Sequence, residues 1–342
     1  MSIGVGIILG IFVLGILAVS HELGHFLAAR LSHIPVEEFG YGIGPVIYQH
    51  KAKDGMVFKL SAIPFLGYVK IKGMDNNIDA PDGFFNQPFW PKLFTMVAGP
   101  LMNILVAILL FSIVFSTFGN PVVPSNVVAA VLKDSPAYTA GMLPNDKIIE
   151  INGVKISEWS QVNNLIQESK GEPLEIVIDR NNEEVHLVVT PSYDNSLNKW
   201  LIGVSSKGEV YSFPTSFIKA GSFTFKMLGS MFASIAMLFT KEGATSVTGP
   251  IGIVSLMAQS ASGGFLEFLF FSAYISLALG FTNLLPIPAL DGSWILVLLI
   301  EGITRKKIVN RTALQIQSFA LFILLALMVL VSINDIIRII AR

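Results

Sequence analysis

Long apolar runs alternate with polar stretches along this chain, and the runs exceed what the core of a soluble domain needs. Residues 3–31, 93–118 and 318–333 carry very few charges. A hydrocarbon core of about 30 Å takes roughly 20 helical residues to cross. Each run therefore predicts a membrane-spanning helix, the last continuing amphipathically toward Ile340. A fourth run, 265–300, is longer and is broken near its middle by Pro286 and Pro288. Backbone freed at membrane depth must face protein or a water-filled cavity, so this break marks a candidate site. The spans are placed at residues 1–31, 93–118, 265–300 and 314–342.

Residues 32–92 are rich in Gly and aromatic residues. Their alternating stretches, Val57-Phe58-Lys59-Leu60-Ser61-Ala62-Ile63 and Tyr68-Val69-Lys70-Ile71-Lys72, predict short strands bent at 64–67. A surface hairpin and a membrane-associated β-region fit that pattern equally. From 122 to 205 the composition turns polar. Strands at 127–132, 147–151, 174–178, 184–190 and 201–204, with a helix at 160–169, predict an α+β domain large enough for a small core.

Residues 212–245 read two ways. The stretch 220–240 is about span length with Lys226 as its internal charge, yet Phe217, Phe223, Met227, Met231, Phe232, Ile235 and Phe239 recur at helical spacing, as in a helix lying along the interface. Topology favours the interface. The loop 301–313 carries Arg305, Lys306, Lys307 and Arg311, and short basic loops stay cytoplasmic. Four spans put this loop on the same side as the loop after His25; a fifth would separate them. The termini and the polar domain are then outside.

Composition agrees: of 342 residues, 52% are hydrophobic and 14% charged, the balance of a polytopic membrane protein partnered by the bilayer. A net charge of −1 gives no basic excess for phosphate backbones, so nucleic acid is not an expected partner. The first run lacks a basic start and carries chemistry, so it reads as a retained span and not a signal peptide. With no cysteine, disulfides, thiolate metal sites and cysteine nucleophiles are excluded, and metal ligands must be His, Asp or Glu.

That chemistry is His21-Glu22-Leu23-Gly24-His25, inside the first span. A helix brings His21 and His25 onto one face, where both can ligate one zinc ion with Glu22 beside them as a base. Ionisable groups in a span are costly and usually functional. Catalytic zinc ordinarily takes three protein ligands. Asp291, just past the proline break, is the best third one, or it caps the helix 293–300, or it does both. Asn283 and Asn103 are further amides within spans, suited to the site or to bonds between helices. His33, His50 and His186 lack any ligand spacing and read as ordinary residues. Two rival functions remain: a silent scaffold, which would be expected to have lost Glu22 or a ligand, and a metal transporter, which needs polar residues through the other spans that 318–333 hardly offers.

These residues resemble the site-2 protease family of intramembrane zinc metalloproteases, in its bacterial PDZ-containing branch of the regulator of sigma-E protease type. His21 to His25 match its HExxH, and Asn283-Leu284-Leu285-Pro286-Ile287-Pro288-Ala289-Leu290-Asp291-Gly292 match its Asn-x-x-Pro-x-Pro-x-Leu-Asp-Gly motif at every fixed position. Gly99-Pro100-Leu101-Met102-Asn103 is similar to its GPxxN element, Pro64-Phe65-Leu66-Gly67-Tyr68-Val69 to the Gly-Tyr-Val stretch of its β-region, and Gly249-Pro250-Ile251-Gly252-Ile253 also recurs there. The resemblance implies zinc held by His21, His25 and Asp291, Glu22 as general base, and Asn283 binding substrate near the scissile bond, with Asn103 grouped beside it. It implies that Pro64, Gly67, Tyr68 and Val69 belong to a platform that pairs with unwound substrate. Ser135-Pro136-Ala137, Ala140-Gly141-Met142 and 146–153 resemble a PDZ module, with Asn145 where Gly is common. The implied protein is a four-span enzyme of the bacterial cytoplasmic membrane, with one extracytoplasmic PDZ domain. Its implied substrates are single-span membrane proteins such as anti-sigma factors, and signal-peptide remnants.

Overall fold

A computed structural model of the chain describes residues 3–74, 79–195, 198–235, 248–308 and 311–340, and divides into two compact units, Met1–Phe111 with Phe217–Arg342, and Ser112–Ser216. Among the described residues, four helices are long and apolar enough to cross a membrane: Gly4–Leu31, Phe89–Thr117, Phe265–Leu284 and Thr312–Ile340.

The first unit opens with helix α1 (Ile3–Leu31), apolar on every side through Val19 and so suited there to lipid or protein on all faces. Strands β1 (Val36–Lys51) and β2 (Val57–Ile71) follow, longer than the alternating stretches alone indicate. Both strands bend, so β1 pairs twice: Phe39 faces Val69 on one side and Phe58 on the other, while Gln49 faces Lys59 farther along. The result is a small sheet whose outer strand, 67–71, lies against α1. Helix α2 (Phe89–Thr117) begins earlier than its apolar run because Phe89 and Trp90 form its first turn.

Beyond it in this unit are α5 (Phe213–Ser234), which begins in the other unit, α6 (Pro250–Gly263), α7 (Phe265–Leu284), α8 (Asp291–Thr304) and α9 (Arg311–Ile340). The third apolar run is thus two helices parted at 285–290. α5 is not among the span-like helices of the described residues, and the part of the interfacial reading that falls on 236–245 lies outside them. The sequence reading gave no helix for α6. Two cores brace α1: Met257, Ala261 and Phe268 pack with Leu9 and Val13 on its first half, and Ala29, Ile34, Val36, Ile71, Phe84, Met96 and Leu298 close around its end.

The second unit holds β3 (Asn120–Val131), α3 (Pro136–Thr139), β4 (Lys147–Ile151), β5 (Val154–Lys155), α4 (Trp159–Glu168), β6 (Leu174–Arg180), β7 (Glu183–Val189), β8 (Ser192–Asp194), β9 (Lys199–Leu201) and β10 (Val204–Glu209). Its main sheet is antiparallel in the order β10-β3-β4-β6-β7, with β5 paired to β4; β8 and β9 pair separately. Strand β6 points Leu174, Ile176 and Ile178 inward and Glu175 outward, and these join Val128, Ile148, Ile151, Trp159, Val162 and Ile166 in one core. Gly203, at φ +81°, splits the strand expected at 201–204. Asn145 adopts φ +72°, the left-handed geometry for which Gly is common and Asn is tolerated.

Candidate metal centre

Helical spacing sets His21 and His25 edge to face, with ring centroids 4.8 Å apart and Nε2 atoms 3.2 Å apart. His25 is 4% exposed, and its Nδ1 lies 2.8 Å from the Thr95 carbonyl on α2. A carbonyl only accepts, so Nδ1 carries the proton and Nε2 keeps its lone pair for a metal. This needs the two helix backbones close together. A Cβ on Gly24 would stand 2.9 Å from the Gly99 Cα, and a Cβ on Gly99 would enter the His25 ring. Gly99 of the GPxxN element is therefore the place where α2 admits the imidazole.

Asn103, one turn farther along α2, is 1% exposed, with its amide nitrogen 3.5 Å from His21 Nδ1 and its Oδ1 buried without a partner. Turning the amide over would let Oδ1 accept from His21 Nδ1–H, leaving His21 Nε2 free in the same way. The amide expected beside substrate thus lies behind a histidine. Its main chain is held too, since Ser276 Oγ on α7 donates to the Asn103 carbonyl at 2.8 Å.

Asp291 closes the cluster from the proline break. Its Oδ2 lies 2.9 Å from His21 Nε2 and 3.2 Å from His25 Nε2. Leu290 is the N-cap of α8 and Asp291 its first helical residue, so the carboxylate turns to the imidazoles and does not cap the helix. Among the described residues, His21, His25 and Asp291 are the one group of three such side chains placed to hold a metal, their ligand atoms within 4.8 Å of one another. His33 follows α1, His50 lies in β1 and His186 in β7, none of them in the group.

Glu22 faces the outer strand of the sheet, with its carboxylate beside the Val69 backbone. A Cβ on Gly67 would come within 3.2 Å of Glu22 Cγ and of Val19 Cα, so glycine lets the strand lie this close to α1. Tyr68, next along, donates from its hydroxyl to Glu38, which also takes a 2.5 Å bond from Lys59 Nζ. Burial and then the Glu38 carboxylate push the Tyr68 phenol up to about 12. Burial alone would raise Glu38, but the Lys59 and Tyr68 hydrogen bonds outweigh it and hold the carboxyl low. Asn283 sits half-buried in the last turn of α7. Pro64 lies in β2, and its side chain is outside the described residues. The Thr95 carbonyl was missed by sequence reasoning; as a main-chain atom it leaves no residue-type signal.

The model of Peptidase family M50 matches residues 9–328. This chain belongs to peptidase family M50, the site-2 protease family. A relative from Clostridium acetobutylicum carrying a zinc-metalloprotease name is 32% identical over 336 residues, covering 97% of each chain. Another so named, from Campylobacter jejuni, is 33% identical over 350 residues, covering 97% of this chain and 93% of that one. Among solved structures, the PDZ domain of an SdrC-like protein from Listeria monocytogenes is similar at 18% identity and a TM-score of 0.22, over 23% of this chain and 84% of that one.

The M50 chain is a zinc metalloprotease. Its donor set fits that ion: two imidazole nitrogens with free lone pairs and one carboxylate oxygen converge, the number a catalytic zinc site takes while keeping a position open. The four apolar helices among the described residues fit a multi-pass membrane protein.

Proposed function

We propose that this M50 protease cleaves peptide bonds within single-span membrane substrates, with His21, His25 and Asp291 holding zinc and Glu22 as the general base. One observation carries the reading: donors from a membrane-length helix and from a break in a second apolar run converge, with a carboxylate and an open strand edge beside them. Zinc, when bound, supplies Lewis acidity toward water and the scissile carbonyl. Glu22 Oε takes the proton of the attacking water and delivers it to the leaving amine nitrogen. The Thr95 carbonyl, and Asn103 with its amide turned over, orient the two rings so that Nε2 of His25 and of His21 faces the ion.

A substrate helix hides its peptide groups in its own hydrogen bonds and must unwind before cleavage. Strand 67–71 offers the freed groups replacement partners next to Glu22, as in other cases of strand addition. Asn283, at the end of α7 where the break begins, is suited to bind the substrate main chain. We read the second unit as a PDZ module, from its antiparallel sheet closed by α4 and from the motif run 135–153. We read it as lying outside the cytoplasmic membrane, with the loop 301–313 inside, a reading supported by the positive charge of that loop. There it admits membrane proteins already trimmed, of the anti-sigma-factor or signal-peptide-remnant type.

The test is Glu22→Gln in purified protein with a membrane-embedded reporter. Zinc content is expected to stay at the wild-type level while cleavage falls by about 100-fold or more. Cleavage at the wild-type rate removes Glu22 from the mechanism.

A further inference from the structure

Asp291 is delivered by a turn that holds Ala289 at φ +78°. That conformation is unfavourable for an L residue, and alanine has no polar side chain to stabilise it locally, as Asn or Asp can. The support comes from α9. The Ala289 N–H donates to Gln317 Oε1 at 2.5 Å, Gln317 Nε2 donates to Ser293 Oγ at 2.8 Å, and Ser293 Oγ donates to the Leu290 carbonyl at 2.7 Å. These roles fix the amide's orientation: a backbone N–H only donates, and the serine has already spent its proton on Leu290. One amide therefore grips the chain on both sides of Asp291.

We propose that Gln317 is a positioning residue of the metal centre: by bonding Ala289 and Ser293 it holds the strained turn that aims the Asp291 carboxylate at His21 and His25. The proposal rests on Asp291 being a zinc ligand. Remove the amide, and a half-buried N–H loses its partner while nothing opposes return of Ala289 to a negative φ. The carboxylate then leaves the imidazoles. The start of α9 thereby acquires a role in the site that its distance along the chain conceals.

The experiment measures zinc affinity by graded chelator competition on full-length protein in detergent, for wild type, Asp291→Ala, Gln317→Met and Gln317→Met with Ala289→Gly. Methionine keeps the length and suits a membrane helix but makes neither bond. Gln317→Met is expected to bind zinc about 10-fold more weakly, the low end for loss of a group that orients a ligand. Ala289→Gly is expected to restore most of that affinity, because glycine adopts a left-handed turn without penalty; a role in stability alone would not produce this rescue. Wild-type affinity in Gln317→Met, with zinc lost from Asp291→Ala, overturns the role of Gln317 and spares the ligand assignment. Undiminished zinc in Asp291→Ala overturns both. Should Gln317→Met fail to accumulate, the double variant decides: accumulation with zinc bound supports the proposal, and accumulation without zinc, or no accumulation, refutes it.

Discussion

His25 can turn Nδ1 onto Thr95 only because Gly24 and Gly99 let two helix backbones approach, so at this contact a missing side chain sets the metal chemistry. Gly99→Ala would put a methyl group where the imidazole stands, and a packed interior yields to such an insertion only by displacing a neighbour. The ring is the neighbour able to move. Zinc affinity in Gly99→Ala is expected to fall by about 10- to 100-fold, read by chelator competition. Wild-type affinity would mean that His25 holds its tautomer without this contact. The histidines, Glu22 and Asp291 were legible in the sequence because ionisable side chains in apolar runs stand out and helical spacing fixes their face. The parts that tune them were less legible. Thr95 acts through its main chain, and Asn103 offered two bonding roles that only the position of its neighbour separates.

At the scale of elements, period-2 alternation found both halves of β2 but not their partners, since pairing depends on how β1 bends between them. The two-sided use of 36–41, with 57–60 on one flank and 67–71 on the other, leaves the second stretch outermost and beside Glu22. Val69→Pro tests that placement. Proline removes the backbone N–H next to Glu22 and is tolerated on an outer strand, so the sheet and the zinc ligands, which come from α1 and α8, should persist. Turnover is expected to drop by about 10-fold or more with zinc content unchanged. Unaltered turnover would separate the strand from catalysis. Helix α6 escaped the sequence reading for a related reason. It is short, and its Gly, Ala and Ser residues give no apolar stripe, yet small residues let helices pack closely in a membrane. Its start is fixed from another element, by Asp335 of α9, which accepts the Gly252 N–H at 2.9 Å. No local pattern encodes a partner so far along the chain.

For the whole molecule, sidedness follows from how many times the chain crosses, and the reading turns on residues 212–245. Four crossings place the turn between β1 and β2 on the same face as the basic loop 301–313 and the second unit on the opposite face. A fifth crossing would put that turn and that loop on opposite faces. The absence of cysteine makes this directly measurable, because any thiol introduced is the sole one in the chain. Lys53, Glu183 and Lys306 are exposed and lie respectively in the β1–β2 turn, β7 and the basic loop. In intact cells a membrane-impermeant maleimide is expected to label Glu183→Cys, and to label Lys53→Cys and Lys306→Cys only after the membrane is opened. Opposite behaviour of Lys53→Cys and Lys306→Cys would make 212–245 a crossing segment. It would also move the strand edge away from the face that positive charge assigns to the cytoplasm. Because Glu22 and strand 67–71 are in contact, the side on which Lys53 is labelled also fixes the side from which an unwound substrate meets the base.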